Sequence, residues 1–317
     1  NRNLFTNSES RRLSFLDVKN EVDNYSSILF ELGFRKDDKI ILQLPNIVEL
    51  AILYIALSKL GIIISPIPIQ YGTYELEKII DDPSLILIDA RSFQEYSRGH
   101  ITNAVNLDLF SFHWIDTSRD GISSFNQQFT KIFSRVGVSE EKKVIFYDDV
   151  SGMLAARGVW LLEYFSHPNV SMLDGGITKW KTEGRALDRI SVSYKPANFS
   201  GKPNPKILAG FEYVLENLNK ITILDVRSKE EFDGKLVRAA RGGHIPTSTN
   251  IDYTENISKD GTLKNNEELS KLYQMSKDAE IVTYCQGAYR AANTFLALKK
   301  IGFTNVKVYL GSWGEWG

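Results

Sequence analysis

Residues 280–316 read EIVTYCQGAYRAANTFLALKKIGFTNVKVYLGSWGEW, and residues 143–180 read KVIFYDDVSGMLAARGVWLLEYFSHPNVSMLDGGITKW. The second is an earlier copy of the first. A further pair lies upstream of each: LILIDARSFQEYSRGHITNAVNLD at 85–108 and ITILDVRSKEEFDGKLVRAARGGHIPTSTNID at 221–252. Asp89 and Asp225 stand 136 residues apart, Asp148 and Cys285 137, Trp180 and Trp316 136. His100 and His244 stand 144 apart, which places a short insertion around KLVRAAR in the second copy. A near-constant offset across separate landmarks signals an internal repeat. The copies are expected to form domains at 83–190 and 207–317. The stretch SVSYKPANFSGKPNPK, 191–206, has three prolines and little periodicity and reads as a linker.

Each copy alternates strands and helices. LILID and ITILD are short apolar runs ending in Asp, as buried parallel strands do. KVIFYD and EIVTYC are the next strands, and helical patterns follow at 155–165 and 288–300. The expected class is α/β, two domains that each hold a parallel sheet flanked by helices.

Bulk composition narrows the function. The 317 residues carry a net charge of -1, with 43% hydrophobic and 24% charged residues, an ordinary globular mix. Nothing in this balance points to nucleic acid or to an acidic membrane surface. The longest apolar tract, 47–69, is broken by Glu49, Lys59, Pro66 and Pro68 and reads as a core helix plus strand. One cysteine cannot close an internal disulfide. With no signal-peptide pattern at the start, the expected location is cytoplasmic. The opening at Asn1 and the stop at Gly317 suggest clipped ends.

That single cysteine, Cys285, falls at the carboxyl end of a strand, just before a helix. Open α/β sheets place their ligands there. The turn QGAYR holds Gly287, which permits a tight curl, and backbone N–H groups at such a helix start favour an anion. Such groups favour an anionic sulfur, so Cys285 is expected to act as a nucleophile, with Arg290 adding positive charge. A lone cysteine is commonly an inert core residue. The strand end, glycine turn and loop arginine together set this one apart. Asp89, Asp225, His100 and His244 occur in both copies, only one of which has the cysteine, and so read as structural. Asp148 and Asp149 have no His or Cys beside them to suggest a metal site, and Trp180, Trp313 and Trp316 read as core packing.

The duplicated pattern resembles the tandem-domain rhodaneses, the thiosulfate and 3-mercaptopyruvate sulfurtransferases. The pieces that carry the resemblance are LIDARSFQEYSRGHITNAVNL, LDGGITKW, LDVRSKEEF, GGHIP, YCQGAYR and GSWGEW, across 83–317. It implies a structural first domain, with Asp148 where the cysteine would stand. It implies an active loop of Cys285, Gln286, Gly287, Ala288, Tyr289 and Arg290. It also implies ping-pong transfer from a small anionic sulfur donor, through a Cys285 persulfide, to a thiol or cyanide acceptor. No metal or organic cofactor is called for. The chain departs from the family in the loop, where Gln286 and Gly287 stand in place of the basic residues of animal thiosulfate enzymes. It departs again at Glu231, where many members carry arginine. Arg227, Arg238 and Arg241 are the remaining candidates for holding the donor. Arg227 is alternatively a structural ion-pair partner, and the other two alternatively solvated. Two rivals stay open: a non-catalytic rhodanese-like binding module, and a cysteine-dependent phosphatase. The phosphatase loop has five residues between Cys and Arg, against four here.

Residues 1–82 do not repeat. LSFLDVKNEVDNYSSILFELGF reads as an amphipathic helix with Ser14 as N-cap, Asp17 three later and Gly33 as its stop. DKIILQLPN reads as a strand and turn, IVELAILYIALSKLG as a second helix and IIISPIPIQY as a buried strand. This segment resembles the opening of the acyl-CoA synthetase family of adenylate-forming ligases. The phosphate-binding loop and later motifs of that family are absent, so adenylation is not expected. Ile62, Ile63, Ile64 and Ile67 would be covered by the missing remainder of a ligase. The fragment is therefore expected to dock, to dimerise or to be poorly ordered.

Overall fold

The computed structural model describes residues 13–42, 48–66 and 70–317. The chain falls into two compact units, 1–69 and 70–317.

In the first unit, a helix spans Phe15–Glu31 and a second Val48–Lys59. Ser14 caps the first: its Oγ accepts from the Asp17 backbone N–H, and the Asp17 carboxylate accepts from the Ser14 N–H. That reciprocal pair satisfies two N–H groups a helix start leaves unpaired. Gly33, at φ +96°, follows the helix end. Strands β1 (Lys39–Leu42) and β2 (Ile63–Pro66) pair in parallel. Val22, Val48, Ile52 and Ala56 form the small core of this unit. Ile62 is buried, but Ile63 is 51% exposed. The strand expected to be buried therefore is not so along its length, because a two-stranded sheet leaves a face uncovered. Ile67 lies outside the described residues.

The second unit holds two five-stranded parallel sheets. The first is built from β3 (Gln70–Tyr71), β4 (Leu85–Asp89), β5 (Val105–Asn106), β6 (Lys143–Tyr147) and β7 (Val170–Leu173), in the order β3-β7-β6-β4-β5. The second is built from β8 (Leu208–Ala209), β9 (Thr222–Asp225), β10 (Thr249–Asn250), β11 (Ile281–Tyr284) and β12 (Val306–Tyr309), in the order β8-β12-β11-β9-β10. The repeat seen in sequence is a repeat of topology. The duplication becomes readable at 83, whereas the first sheet already takes an edge strand from Gln70–Tyr71.

The central strands are buried along their length, so they read as unbroken apolar runs. The Met153–Tyr164 helix of the first repeat packs on the Tyr289–Lys300 helix of the second. One hydrophobic cluster runs through both repeats, from Ile86 and Phe146 to Phe295 and Leu310. Rings of Phe125, Phe129 and Phe133 follow one another at 4.8 and 6.0 Å. The proline-bearing connection at 191–206 is pinned by Phe199, which buries its ring between Phe133 and Phe165. No helix among the described residues is long and apolar enough to cross a membrane.

The residues common to both copies do matching structural work. Arg91 is forked onto Asp89 and donates to the Gly99 carbonyl. Arg227 is forked onto Asp225 and donates to the Gly243 carbonyl. His100 stacks on Tyr96 at 3.8 Å and His244 on Phe232 at 3.7 Å, each bonded through Nδ1 to a backbone carbonyl.

Candidate active site

Cys285 follows β11 directly and is buried, with 1% exposure. The loop curls back through Ala288, the one left-handed residue there, at φ +66°. Gly287 was the expected pivot, yet it is needed for a different reason. A Cβ on Gly287 would lie 1.9 Å from Cε1 of His113. The loop is bare at this position because an imidazole from the first repeat occupies the space.

Ser312 locks the loop from outside it. Its Oγ accepts from the backbone N–H of Cys285 at 3.2 Å and of Ala288 at 3.0 Å, and donates to the Tyr309 carbonyl at 2.8 Å. Ser312 holds a φ of +52°, and Gly176, its counterpart in the first repeat, holds +56°. A serine thus keeps a backbone conformation suited to glycine, at a cost of about 1 kcal/mol or more. The hydroxyl is what that strain secures. Ser312→Ala is expected to slow any chemistry at Cys285 by about tenfold, the equivalent of one lost buried hydrogen bond. Reaction rate and thermal midpoint, measured together, check it.

The first repeat shows what the loop is shaped to hold. At the position matching Cys285, the Asp148 carboxylate accepts backbone N–H bonds from Gly152 (3.1 Å), Leu154 (2.9 Å) and Ala155 (3.1 Å). Burial pushes its pKa up to about 6, against the pull of these N–H groups. A fixed anion therefore sits in the N–H cradle at the start of the Met153–Tyr164 helix. The second repeat has the same strand, turn and helix start, with sulfur as the prospective anion.

Arg290, the last loop residue, turns both Nη atoms onto Glu231 at 2.6 and 3.0 Å. Burial pulls its pKa down, but the Glu231 carboxylate and the Cys285 sulfur outweigh that and raise it. For Glu231 burial acts upward, and the Arg290 fork more than offsets it, leaving the carboxyl below its usual range. Tyr289 bonds to the Leu109 carbonyl across the repeat boundary at 3.0 Å. Gln286 donates to the Arg238 carbonyl at 3.1 Å.

A cleft of about 570 Å³ opens beside the loop. His113, Arg238, Arg241, Gln286, Glu315 and Trp316 are among the residues lining it. Arg238 is largely exposed and reaches Glu231 at 3.4 Å, while Arg241 donates to the Trp316 carbonyl at 2.7 Å. Arg227 is not among the lining residues; its guanidinium is spent on Asp225, between the rings of Trp313 and Tyr284. Burial lowers the His113 pKa, and the charge of Arg157 lowers it further. Among the described residues no cluster of His, Cys, Asp and Glu is placed to hold a metal ion. His113, Arg157 and Ser312 were missed in the sequence. Ser312 was signalled there by a serine standing opposite Gly176 in the repeat.

Comparison with known proteins agrees with this geometry. The model of the rhodanese-like domain matches twice, over 73–183 and 211–317, and that of the AMP-binding enzymes matches 1–107. The two overlap at 73–107, which the structure places in the first five-stranded unit. The chain is 33% identical over 261 residues to the sulfur carrier protein TtuD of Thermus thermophilus, covering 76% of this chain and 91% of that one. It is 31% identical over 256 residues to a thiosulfate sulfurtransferase of Azotobacter vinelandii, covering 79% and 94%. The crystal structure of SseA from Escherichia coli, a 3-mercaptopyruvate sulfotransferase, superimposes with a TM-score of 0.68 at 30% identity, covering 77% and 98%. With its two tandem domains, an AMP-binding-like stretch ahead of them and one cysteine, at the position matching Asp148, the chain belongs to the rhodanese-like family as an enzyme of the sulfurtransferase type.

Proposed function

We propose that the chain moves a sulfane sulfur from thiosulfate or 3-mercaptopyruvate to a thiol or cyanide through a persulfide on Cys285. The observation that carries this reading is the loop itself. It holds a buried cysteine at a helix N-terminus, where the sister loop already holds a carboxylate. The catalytic domain is then 207–317, with 83–190 as its structural partner.

With thiosulfate, the Cys285 thiolate attacks the outer sulfur. The S–S bond of the donor breaks, its electron pair leaves with sulfite, and a new S–S bond joins the sulfur to Cys285. An acceptor nucleophile then attacks that outer sulfur, and the Cys285 thiolate departs with the bonding pair. Both halves keep negative charge at the loop, so the N–H groups not already donated to Ser312 serve each step. Gln286, Gly287, Ala288, Tyr289 and Arg290 form that loop. Arg238 and Arg241, in the cleft, guide the anionic donor. A phosphatase reading loses support because Arg290 is engaged by Glu231 and is not free to clamp a phosphate.

Thiocyanate formation from cyanide and each donor in turn tests the reading. It is expected to proceed with the unaltered chain and to vanish in Cys285→Ser. Activity retained by the serine variant would overturn it.

A further inference from the structure

Three arginines are deeply buried among the described residues: Arg91, Arg157 and Arg227. Arg91 and Arg227 are each forked onto an aspartate. Arg157, 2% exposed on the Met153–Tyr164 helix, has no carboxylate partner. Its guanidinium lies over rings of Trp160 (4.6 Å), Tyr289 (5.5 Å) and Phe125 (5.9 Å). Its Nη1 is buried without a hydrogen bond. Aromatic faces compensate a cation in part. An unpaired buried charge is otherwise strongly disfavoured, so a lone one points to an anion that comes and goes.

The repeat shows where Arg157 is aimed. Arg157 in AAR and Asn293 in AAN stand 136 residues apart, as Trp180 and Trp316 do. Asn293 crosses the repeat boundary and donates to the Ser151 carbonyl at 2.8 Å, in the loop that follows Asp148. By the same symmetry Arg157 crosses in the other direction, toward the loop that follows Cys285. Its contact with Tyr289, the fifth residue of that loop, fits this. Burial pulls Arg157 down to about 10, with Tyr289 and Cys285 acting upward, so it stays cationic at neutral pH. The loop's own arginine, Arg290, also acts on the Cys285 sulfur, but its charge is offset by the Glu231 carboxylate it is paired with.

We propose that Arg157, from the repeat without a cysteine, is the counter-charge that keeps the sulfur on Cys285 anionic, first as thiolate and then as persulfide. The persulfide half rests on the function proposed above. The thiolate half does not, and it can be tested without any sulfur donor.

The ionisable groups around Cys285 are Arg290 and Tyr289 from its own segment, Glu231 behind Arg290, Tyr253 from the Tyr253–Asn256 turn, and Arg157 and His113 from the first repeat. The test is the rate of Cys285 alkylation by iodoacetamide against pH, in the full chain, for Arg157→Met and Arg157→Lys. In the methionine variant the profile is expected to move up by about one pH unit, or about tenfold slower alkylation near neutral pH. The lysine variant, which keeps the charge, is expected to stay within about threefold of the unaltered chain. A folded methionine variant with an unshifted profile would overturn the proposal. Should that variant not fold, side-chain ¹⁵N resonances of the unaltered chain decide, with Arg157 assigned from the lysine variant. An Arg157 signal that moves as Cys285 ionises supports the proposal, and one that stays fixed overturns it. Sulfur uptake by the unaltered chain is scored separately: no uptake sinks the persulfide reading, and an unshifted profile sinks Arg157 as counter-charge.

Discussion

Asp225→Asn is expected to destabilise the second repeat by about 3–5 kcal/mol, because it strips the charge from one half of a buried pair and leaves the other half uncompensated. Asp225 is wholly buried and accepts from Arg227 Nε at 2.9 Å and Nη2 at 2.5 Å, and from the Tyr284 hydroxyl at 2.5 Å. Among the described residues no other carboxylate lies within ion-pair distance of Arg227; Glu231 acts on it from further off, and its other side-chain partners are the Gly243 carbonyl and aromatic rings. The thermal midpoint should fall by roughly 10 °C. The sister substitution Asp89→Asn makes an internal control. Arg91 keeps a second carboxylate, Asp149, at 3.7 Å, so its loss should be smaller. Equal losses from the two substitutions, by calorimetry, would show that the second carboxylate contributes nothing.

Glu231→Gln should alter the chemistry as well as the stability. The amide can still accept the capping bond from the Ser228 N–H, which the carboxylate accepts at 3.3 Å. It cannot neutralise Arg290. A cation beside the cysteine is then left unbalanced, and the Cys285 thiolate should form at lower pH. Iodoacetamide alkylation should therefore shift toward acid, opposite in sign to Arg157→Met. Stability should drop by about 3 kcal/mol. The pH dependence has a definite sign. The Glu231 pKa is lowered in the fold, so its stabilisation is present above the unfolded carboxylate range and lost as pH falls through the folded value. In the glutamine variant that part of the acid limb should flatten, which chemical denaturation at several pH values checks.

The repeat was legible because its strands are buried on both faces. LILID, KVIFY, ITILD and IVTY stand out as apolar runs wherever they occur, and their order in both sheets follows from the duplication. The edge strands were not legible. Val105–Asn106, Leu208–Ala209 and Thr249–Asn250, two residues each, are too few to show a period, and Gln70–Tyr71 reads only as the tail of a longer strand, IIISPIPIQY. In the first unit the Ser14 cap and the Gly33 stop could be read because capping is a local interaction three residues long. The exposure of Ile63 agrees with the resemblance to the ligases, which implied that this isoleucine lacks its cover.

The site divides along the same line. The loop from Cys285 to Arg290 is contiguous and could be read as a unit. Ser312, Glu231, His113 and Arg157 reach it only through the fold. Arg157 in particular hides inside an apolar helix, where the residues around it suggest nothing but packing. The apparent departure of the chain at Gly287 also becomes intelligible in three dimensions. The side chain missing from the loop is replaced in space by His113, a residue 174 positions earlier. Glu231, which departs from the family's arginine, is the partner of Arg290.

Whether Cys285 carries the sulfur is decided by the intact mass of the chain after incubation with thiosulfate, and separately with 3-mercaptopyruvate, beside Cys285→Ser. Sulfur transfer through Cys285 requires the gain of one sulfur atom by the unaltered chain, its removal by cyanide, and no gain by the serine variant. An unchanged mass on folded protein with both donors, or an equal gain by Cys285→Ser, would contradict it.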